Sequence, residues 1–411
     1  MNIRSVTVFA DPGWPVKEAV LAQAGQLAAQ AKQLFEEAGY PVQTTRLATP
    51  PFPRLFAGLD EGEMVAAAQM LEATAAAQGF AYIALGPAGF DQPEMYALIP
   101  DMIAATENVF FSAHMAVSGK GISYPAVQAC AEIIARLAPQ DPNGFANLYF
   151  TALSNVGPGS PFFPAAYHDG GASGFALATE AAGLAVDAFS GADSFEQGVQ
   201  KLKTSIEAHG QALSTIGKQV EAESGFRYTG IDFSLAPFPD QANSLGHAME
   251  RMGVPRVGMH GSLAAAALLA STLDQADFPR VGFSGLLFAQ LEDSTLADRA
   301  AEGVLTVKDF LMYSAVCGTG LDTIPLPGGT TPAQLTPLLL DLAALGLRLD
   351  KPLTARLMPV PGKQAGERTN FDFPFFANSR VLGLTAEALQ PPLSGADLLP
   401  LTARGKQSGR F

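Results

Sequence analysis

The sequence predicts an α/β protein built on a largely parallel sheet, and three observations carry that reading. Short runs rich in apolar, β-branched and aromatic residues recur along the chain, bounded by Gly, Pro, Asn or Asp. Amphipathic stretches with a helical period stand between them. The two kinds of segment alternate from the first residues to about residue 360, and such alternation makes neighbouring strands parallel, with helices packed on the sheet.

Taken in order, residues 3–9 alternate like a strand, and a helix pattern over 16–38 is stopped by Gly39 and Pro41. A strand at 42–48 and the proline-rich loop 49–56 precede an Ala-rich helix at 63–78. Strand 80–85, helix 93–105, strand 109–117 and helix 125–137 continue the pattern. Residues 146–154 read as a core strand running into the glycine–proline loop 155–161, and 175–179 as the next strand. A long helix at 194–223 carries Lys201, Lys203, Glu207, Lys218 and Glu221 on a solvated face. The second half reads as strand 228–235, helices 243–252 and 262–272, an apolar element at 281–289, helices 306–317 and 330–345, and strand 354–360. Pro332 suits the first turn of its helix. The expectation is a single large unit over 1–411, subdivided if at all near 190–225, with residues 400–411 as a polar tail.

Composition limits the function. Charged residues make up 16% of the 411, against about 25% in typical soluble proteins. A chain so poor in charge has little with which to solvate its surface, which predicts a homo-oligomer, a dimer first of all. Net charge is −14 and no basic run precedes the tail, so no nucleic-acid partner is expected. Cys130 and Cys317 are far apart and in no CxxC pair, and neither metal-ligand spacing nor a phosphate-binding glycine loop is present. No metal or other cofactor is therefore expected. The N-terminus opens on a strand rather than a leader, and the longest apolar run, 263–270, is too short for a bilayer. These features predict a cytoplasmic protein without a membrane partner.

The candidate site residues are polar groups set in apolar, glycine-rich surroundings. In SAVCGTGLDTIPLPGG, residues 314–329, Cys317 opens a glycine-rich turn that also carries Asp322, and Gly318 and Gly320 permit close backbone approach. Cys317 is either a displayed thiol or a small core residue at a helix end whose negative pole disfavours a thiolate. Asp232 and Ser234 share one face of IDFSLAP. A carboxylate on a core strand needs a partner, so Asp232 and Asp322 are either site residues or members of ion pairs and loop caps. His168, bordered by glycines, suits a general acid or base, or else a surface loop. His260 precedes an Ala-rich helix whose first turn can hold an anion, and His114 lies on a strand. Arg46 and Arg356 are isolated charges in strand-like runs, suited to an acidic ligand or to pairing with Asp232, Asp322 or Glu107.

The stretches Asn2-Ile3-Arg4, Ala105-Thr106-Glu107, IDFSLAP at 231–237, VCGTGLD at 316–322 and MPVPGK at 358–363 resemble the DUF711 family, also called UPF0210. The resemblance implies a fold related to glycyl-radical enzymes of the pyruvate formate-lyase type, a large α/β barrel with a loop through its interior. The radical-bearing RVxGY-like motif is missing, RVLGL at 380–384 being a partial echo, and one candidate cysteine stands in place of an adjacent pair. The expected chemistry is therefore non-radical. On this reading the protein is an enzyme acting on a small carboxylate or carbonyl compound inside the barrel. Cys317 or His168 would react, Asp322 or Asp232 would orient, and Arg46, Arg356, Ser234, His114, His260, Gly318 and Gly320 would hold an anionic ligand. The alternatives are a ligand-binding or sensing protein that has lost the chemistry, and a structural subunit. The turn at 317–320, the strand end at 232–237 and the loop around His168 are expected to meet at one cavity.

Overall fold

Strand alternation decides the architecture, because it gives each strand one apolar face for the helices and one mixed face for the interior. The computed structural model describes residues 1–316 and 318–404; Cys317 and residues 405–411 of the polar tail lie outside the described residues. The strands are β1 (Asn2–Phe9), β2 (Val42–Pro51), β3 (Tyr82–Gly86), β4 (Val109–Val117), β5 (Gly121–Ser123), β6 (Phe150–Ser154), β7 (Gly174–Glu180), β8 (Arg227–Asp232), β9 (Gly320–Pro327), β10 (Leu353–Val360) and β11 (Leu398–Leu399). They form one sheet in the order β8-β7-β1-β2-β3-β4-β6-β10-β9, with β5 paired to β4 and β11 to β5.

The sheet is mostly parallel. β1, β2, β3, β4 and β6 form one parallel block, and β7–β8 and β10–β9 are parallel pairs. Antiparallel seams join β7 to β1 and β10 to β6. Val6, Val8, Leu47, Ile83, Phe111, Leu177, Ala355 and Leu357 face the helices and share one core with Leu27, Leu71, Ile134 and Leu339. The opposite face carries Phe9, Ala48, Ala84 and Ala176, packed against Phe163 and Ala166 of the connection between β6 and β7. That connection therefore lies along the inner face, held by a Thr7 hydroxyl donating to the Pro161 carbonyl and by the His168 amide donating to the Thr49 carbonyl. The helix Phe195–Ser224 packs on the helices Glu18–Glu37, Ala182–Phe189 and Ser262–Asp274. Among the described residues no helix is long and apolar enough to cross a membrane.

The hydrogen-bonded ladder is not closed: β8 and β9 are its edges. The segment between them makes only isolated bridges, Ile231–Arg280 and Leu235–Leu286 on one side and Ala289–Asp322 on the other. Asp232 supplies the physical reason. Its carboxylate accepts from the amides of Phe283 and Ser284, each at 2.9 Å, and from the Ser234 hydroxyl at 2.5 Å. The backbone there turns through positive φ at Gly282 (61°) and Ser284 (39°) instead of running straight. A Cβ on Gly282 would lie 2.3 Å from the Asp232 carboxylate. The strand expected over 228–235 accordingly ends at Asp232, and 281–289 is irregular.

Two further expectations change. Residues 145–149 are a 3₁₀ turn rather than the start of β6. After Cys317 only Gly318 and Thr319 form a bend; Gly320 already begins strand β9, where it serves contact between backbones. A Cβ on Gly320, at φ 115°, would sit 2.0 Å from the Thr354 carbonyl oxygen of β10. Gly320→Ala is expected to cost more than about 3 kcal/mol in urea unfolding, whereas Gly39→Ala should cost about 1 kcal/mol. Gly39 also has positive φ, but nothing lies within 4 Å of its Cβ position. Equal costs would show that the β9–β10 contact tolerates a methyl group.

Candidate functional site

Three arginines reach the interior, Arg4 and Arg46 from the neighbouring strands β1 and β2 and Arg356 from β10, farther along the sheet. On β2, Leu47 points into the helix-side core, so Arg46 points inward with Thr44. On β10, Ala355 and Leu357 face the helices and leave Arg356 on the inner side. Register between β9 and β10 slips between Ala355 and Leu357, which sets Asp322 beside Arg356. Arg356 grips Asp322 bidentately, Nε to Oδ1 at 2.5 Å and Nη2 to Oδ2 at 3.0 Å, and also donates to Glu292 at 2.8 Å. The other oxygen of Glu292 accepts from Arg4 of β1. Burial alone raises the Glu292 pKa, but Arg4 and Arg356 outweigh it and hold the carboxyl below its ordinary range. Glu180 lies nearby, bound by the side-chain amides of Asn2 (3.1 Å) and Gln43 (2.7 Å).

Arg46 differs from the other two. Its Nε donates to the Thr44 hydroxyl at 2.8 Å, and its guanidinium lies 5.1 Å from the Phe163 ring and 5.7 Å from the Tyr82 ring. Among the described residues it has no carboxylate within ion-pair distance. Burial first, and the Arg4 charge second, press its pKa down to about 9. A cation in such a setting is under-solvated and under-paired. Arg4, Arg46, Arg356 and Glu292 line a cavity of about 300 Å³ whose remaining walls are largely aromatic. One wall comes from residues 368–380, which double back through a Thr369 amide to Ser379 carbonyl bond and an Asn378 side chain bonded to both backbone groups of Phe371.

The histidines lie elsewhere. His168 lines a cavity of about 820 Å³ with Phe9, the 155–160 loop, Gly282 and Phe283, where β1 ends. Its Nδ1 is 3.5 Å from Asp169 Oδ1, and its buried Nε2 has no hydrogen-bond partner among the described residues. Burial lowers its pKa, with Asp169 opposing. His114 lines a neighbouring cavity of about 580 Å³ with Asp91 and Lys120, on the other side of the 155–158 segment. His260 is exposed. Gly318, at φ 123°, packs near the Leu286 carbonyl.

The structure therefore joins Asp322 to Arg356 and brings Arg356 and Arg46 to one cavity. Asp232 and Ser234 bind the 282–284 turn, whose Gly282 and Phe283 line the cavity of His168, and none of these groups lines the arginine cavity. Arg4, Glu292 and the phenylalanines of 371–376 are the residues that sequence reasoning did not single out. The density of rings in FDFPFF was the available signal. Glu292 was masked by its neighbour Asp293, which caps the helix Ser294–Ala301. No group of three or more His, Cys, Asp or Glu suited to a metal occurs among the described residues.

Comparison with known proteins gives a family. The family described as "Uncharacterised ACR (DUF711)" matches residues 1–378. The chain is similar to a UPF0210 protein of Oenococcus oeni, 28% identical over 87% of this chain and 82% of that one. Similar proteins occur in Methanocaldococcus jannaschii, 26% identical over 86% and 82%, and in Pelotomaculum thermopropionicum, 29% identical over 90% and 88%.

The half-buried His114 makes stability depend on pH. Burial first and Lys120 second press His114 down to about 4 from 6.5, with Asp91 opposing. Between those values the unfolded chain binds more protons than the folded one, so acidification favours unfolding. This contribution is intact near neutrality and is lost below pH 6.5, by up to about 3 kcal/mol. Urea unfolding at about pH 7.5 and about pH 4.5 should show a smaller pH effect in His114→Gln than in the parent chain. An unchanged difference would refute the assignment.

Proposed function

We propose that this chain, which belongs to the DUF711 family, binds a small carboxylate in the interior of its sheet and receives it on Arg46. The observation that carries the reading is the contrast among three neighbouring arginines. Arg4 and Arg356 are held by Glu292 and Asp322, while Arg46 has a hydroxyl, two rings and an adjoining cavity. A guanidinium offers a planar fork that matches a carboxylate, and removal from water strengthens that match. In this proposal the five-strand parallel block, the two parallel pairs beside it and the bridging 280–289 segment act together as a barrel wall. The connection between β6 and β7 then runs through its interior, as the pyruvate formate-lyase-type resemblance implies.

The residues around Arg46 favour holding over transforming. Its cavity is lined by arginines, an ion-paired glutamate, short polar side chains and aromatic rings, with no histidine or cysteine among the described lining residues. A second reading, an enzyme acting on a small carboxylate or carbonyl compound, rests on His168, whose unpartnered nitrogen and adjoining cavity suit proton transfer. Turnover abolished by His168→Gln with carboxylate binding intact would favour that reading. Cytoplasmic residence and a homodimer belong to the same proposal, the latter supported by the 16% charged fraction; sedimentation velocity would read the subunit number.

The direct test is Arg46→Met, which keeps an unbranched side chain and removes the charge. The ligand-free variant should be more stable than the parent by about 1 kcal/mol, because a half-buried cation without a carboxylate partner disappears. It should also lose the rise in melting temperature that millimolar acetate or benzoate gives the parent. A parent protein stabilised by neither anion, or a variant that keeps the response, would overturn the reading.

A further inference from the structure

The cavity beside Arg46 has two aromatic walls of independent origin. Tyr82, Phe110 and Tyr149 belong to the sheet side, with ring centroids 5.3 Å apart for the first pair and 4.9 Å for the second. Phe373, Phe375 and Phe376 come from the doubled-back segment 368–380, with Phe373 5.4 Å from Phe375 and 5.0 Å from Phe376. All six rings line the same 300 Å³ space as Arg46. The second wall is fixed by the protein's own hydrogen bonds: Ala377 donates to the Leu291 carbonyl at 2.7 Å, and Gln290 donates to the Ser379 hydroxyl at 3.0 Å. Its rings are therefore preorganised, and Phe375 still leaves 46% of its surface in water beside the cavity.

These walls restrict what Arg46 can receive. Beyond the arginines, the hydrogen-bonding side chains on the lining are few: Gln43, Thr44, the two tyrosines and Glu292. Three of these already have partners, since Gln43 donates to Glu180, Thr44 donates to the Arg4 carbonyl and accepts from Arg46, and Glu292 is paired twice. A ligand rich in hydroxyl groups would leave buried donors unmatched, which costs more than it gains. An aromatic ring loses nothing there and adds edge-to-face contacts. The volume lies at the lower end of ligand pockets, which suits one ring and a short linker.

We infer that the ligand is a small monocarboxylate with an aromatic body, its carboxylate on Arg46 and its ring between the two walls. The inference rests on the reading of Arg46 as a carboxylate receptor and adds the class of compound.

Titration calorimetry with benzoate, phenylacetate, acetate and benzamide on the full chain tests both levels separately. Benzoate or phenylacetate should bind at least about tenfold tighter than acetate and than neutral benzamide, the margin expected for burying one ring and pairing one charge. Phe375→Ala, at a half-exposed position that leaves the fold intact by its melting curve, should weaken the aryl acids about tenfold and leave acetate unchanged. If acetate binds as tightly as the aryl acids, the aromatic inference falls and the anion reading stands. Benzamide binding as tightly as benzoate would remove the role of charge, and the inference with it. If none of the acids binds, the Arg46 reading itself fails.

Discussion

The chain of ion pairs Arg4–Glu292–Arg356–Asp322 is the constraint on which the interior depends. In the sheet order, β1 and β10 are five strand steps apart, roughly 24 Å if the sheet were flat at about 4.8 Å per step. Yet Arg4 and Arg356 hold the two oxygens of one carboxylate. The sheet must curl to allow this, and its inner face becomes concave. Glu292 is fixed in turn by Asp293, which accepts from the amides of Thr295, Leu296 and Gly246 and from the Ser244 hydroxyl. Buried ion pairs of this kind add little net stability over an apolar core, but removing one partner costs about 3–5 kcal/mol. Their effect here is geometric. They occupy two arginines and leave the third without a carboxylate.

The curled sheet has cavities at two ends, set by strand direction. Ligand crevices in α/β sheets lie beyond the C-terminal ends of parallel strands. The block β1 to β6 ends near His168 and His114 and their two cavities. The pair β9–β10 runs the other way, and the rings of 371–376 pack on Met358 and Val360 toward its C-terminal end, beside the arginine cavity. Antiparallel seams between the blocks thus separate the histidine-lined cavities from the arginine-lined one. Asp232 keeps the remaining edge from joining the ladder, because two amides of the 282–284 turn are bound to its carboxylate.

Much of this was legible in the sequence where the signal is local. Strand 109–117 and the helix after Ser194 follow from alternation and capping, and both fall where the periodicity puts them. Arg46 and Arg356 stand out because an isolated guanidinium in a strand demands an anion. One has an internal partner, and the other has none among the described residues. What the sequence hides is long-range. Arg4 and Glu292 are 288 positions apart, and no local pattern announces their bond. Gly320 looks like a turn residue, since the same absence of Cβ serves a turn and a close backbone contact equally. Asp232 looks like a strand-end catalytic carboxylate, since side-chain chemistry alone does not reveal that its oxygens bind the next segment's amides.

The connection between β6 and β7 decides whether the two ends act together. Phe163 stacks on Arg46 at one end, and residues 155–160 with His168 wall the cavity at the other. A segment shared in this way transmits a change only if it has two arrangements of similar energy. Its anchors argue for one arrangement. Gly159 donates to the Tyr167 carbonyl, the Tyr167 hydroxyl donates to the Val156 carbonyl, and the His168 amide donates to Thr49 on β2. Thr7 holds Pro161 between those points, and Phe163 and Ala166 are buried against β1, β2 and β3. Opening the segment would break these bonds and expose Phe163 and Ala166 at once. It is a partition, so the arginine cavity and the histidine cavity stay apart on one curled sheet.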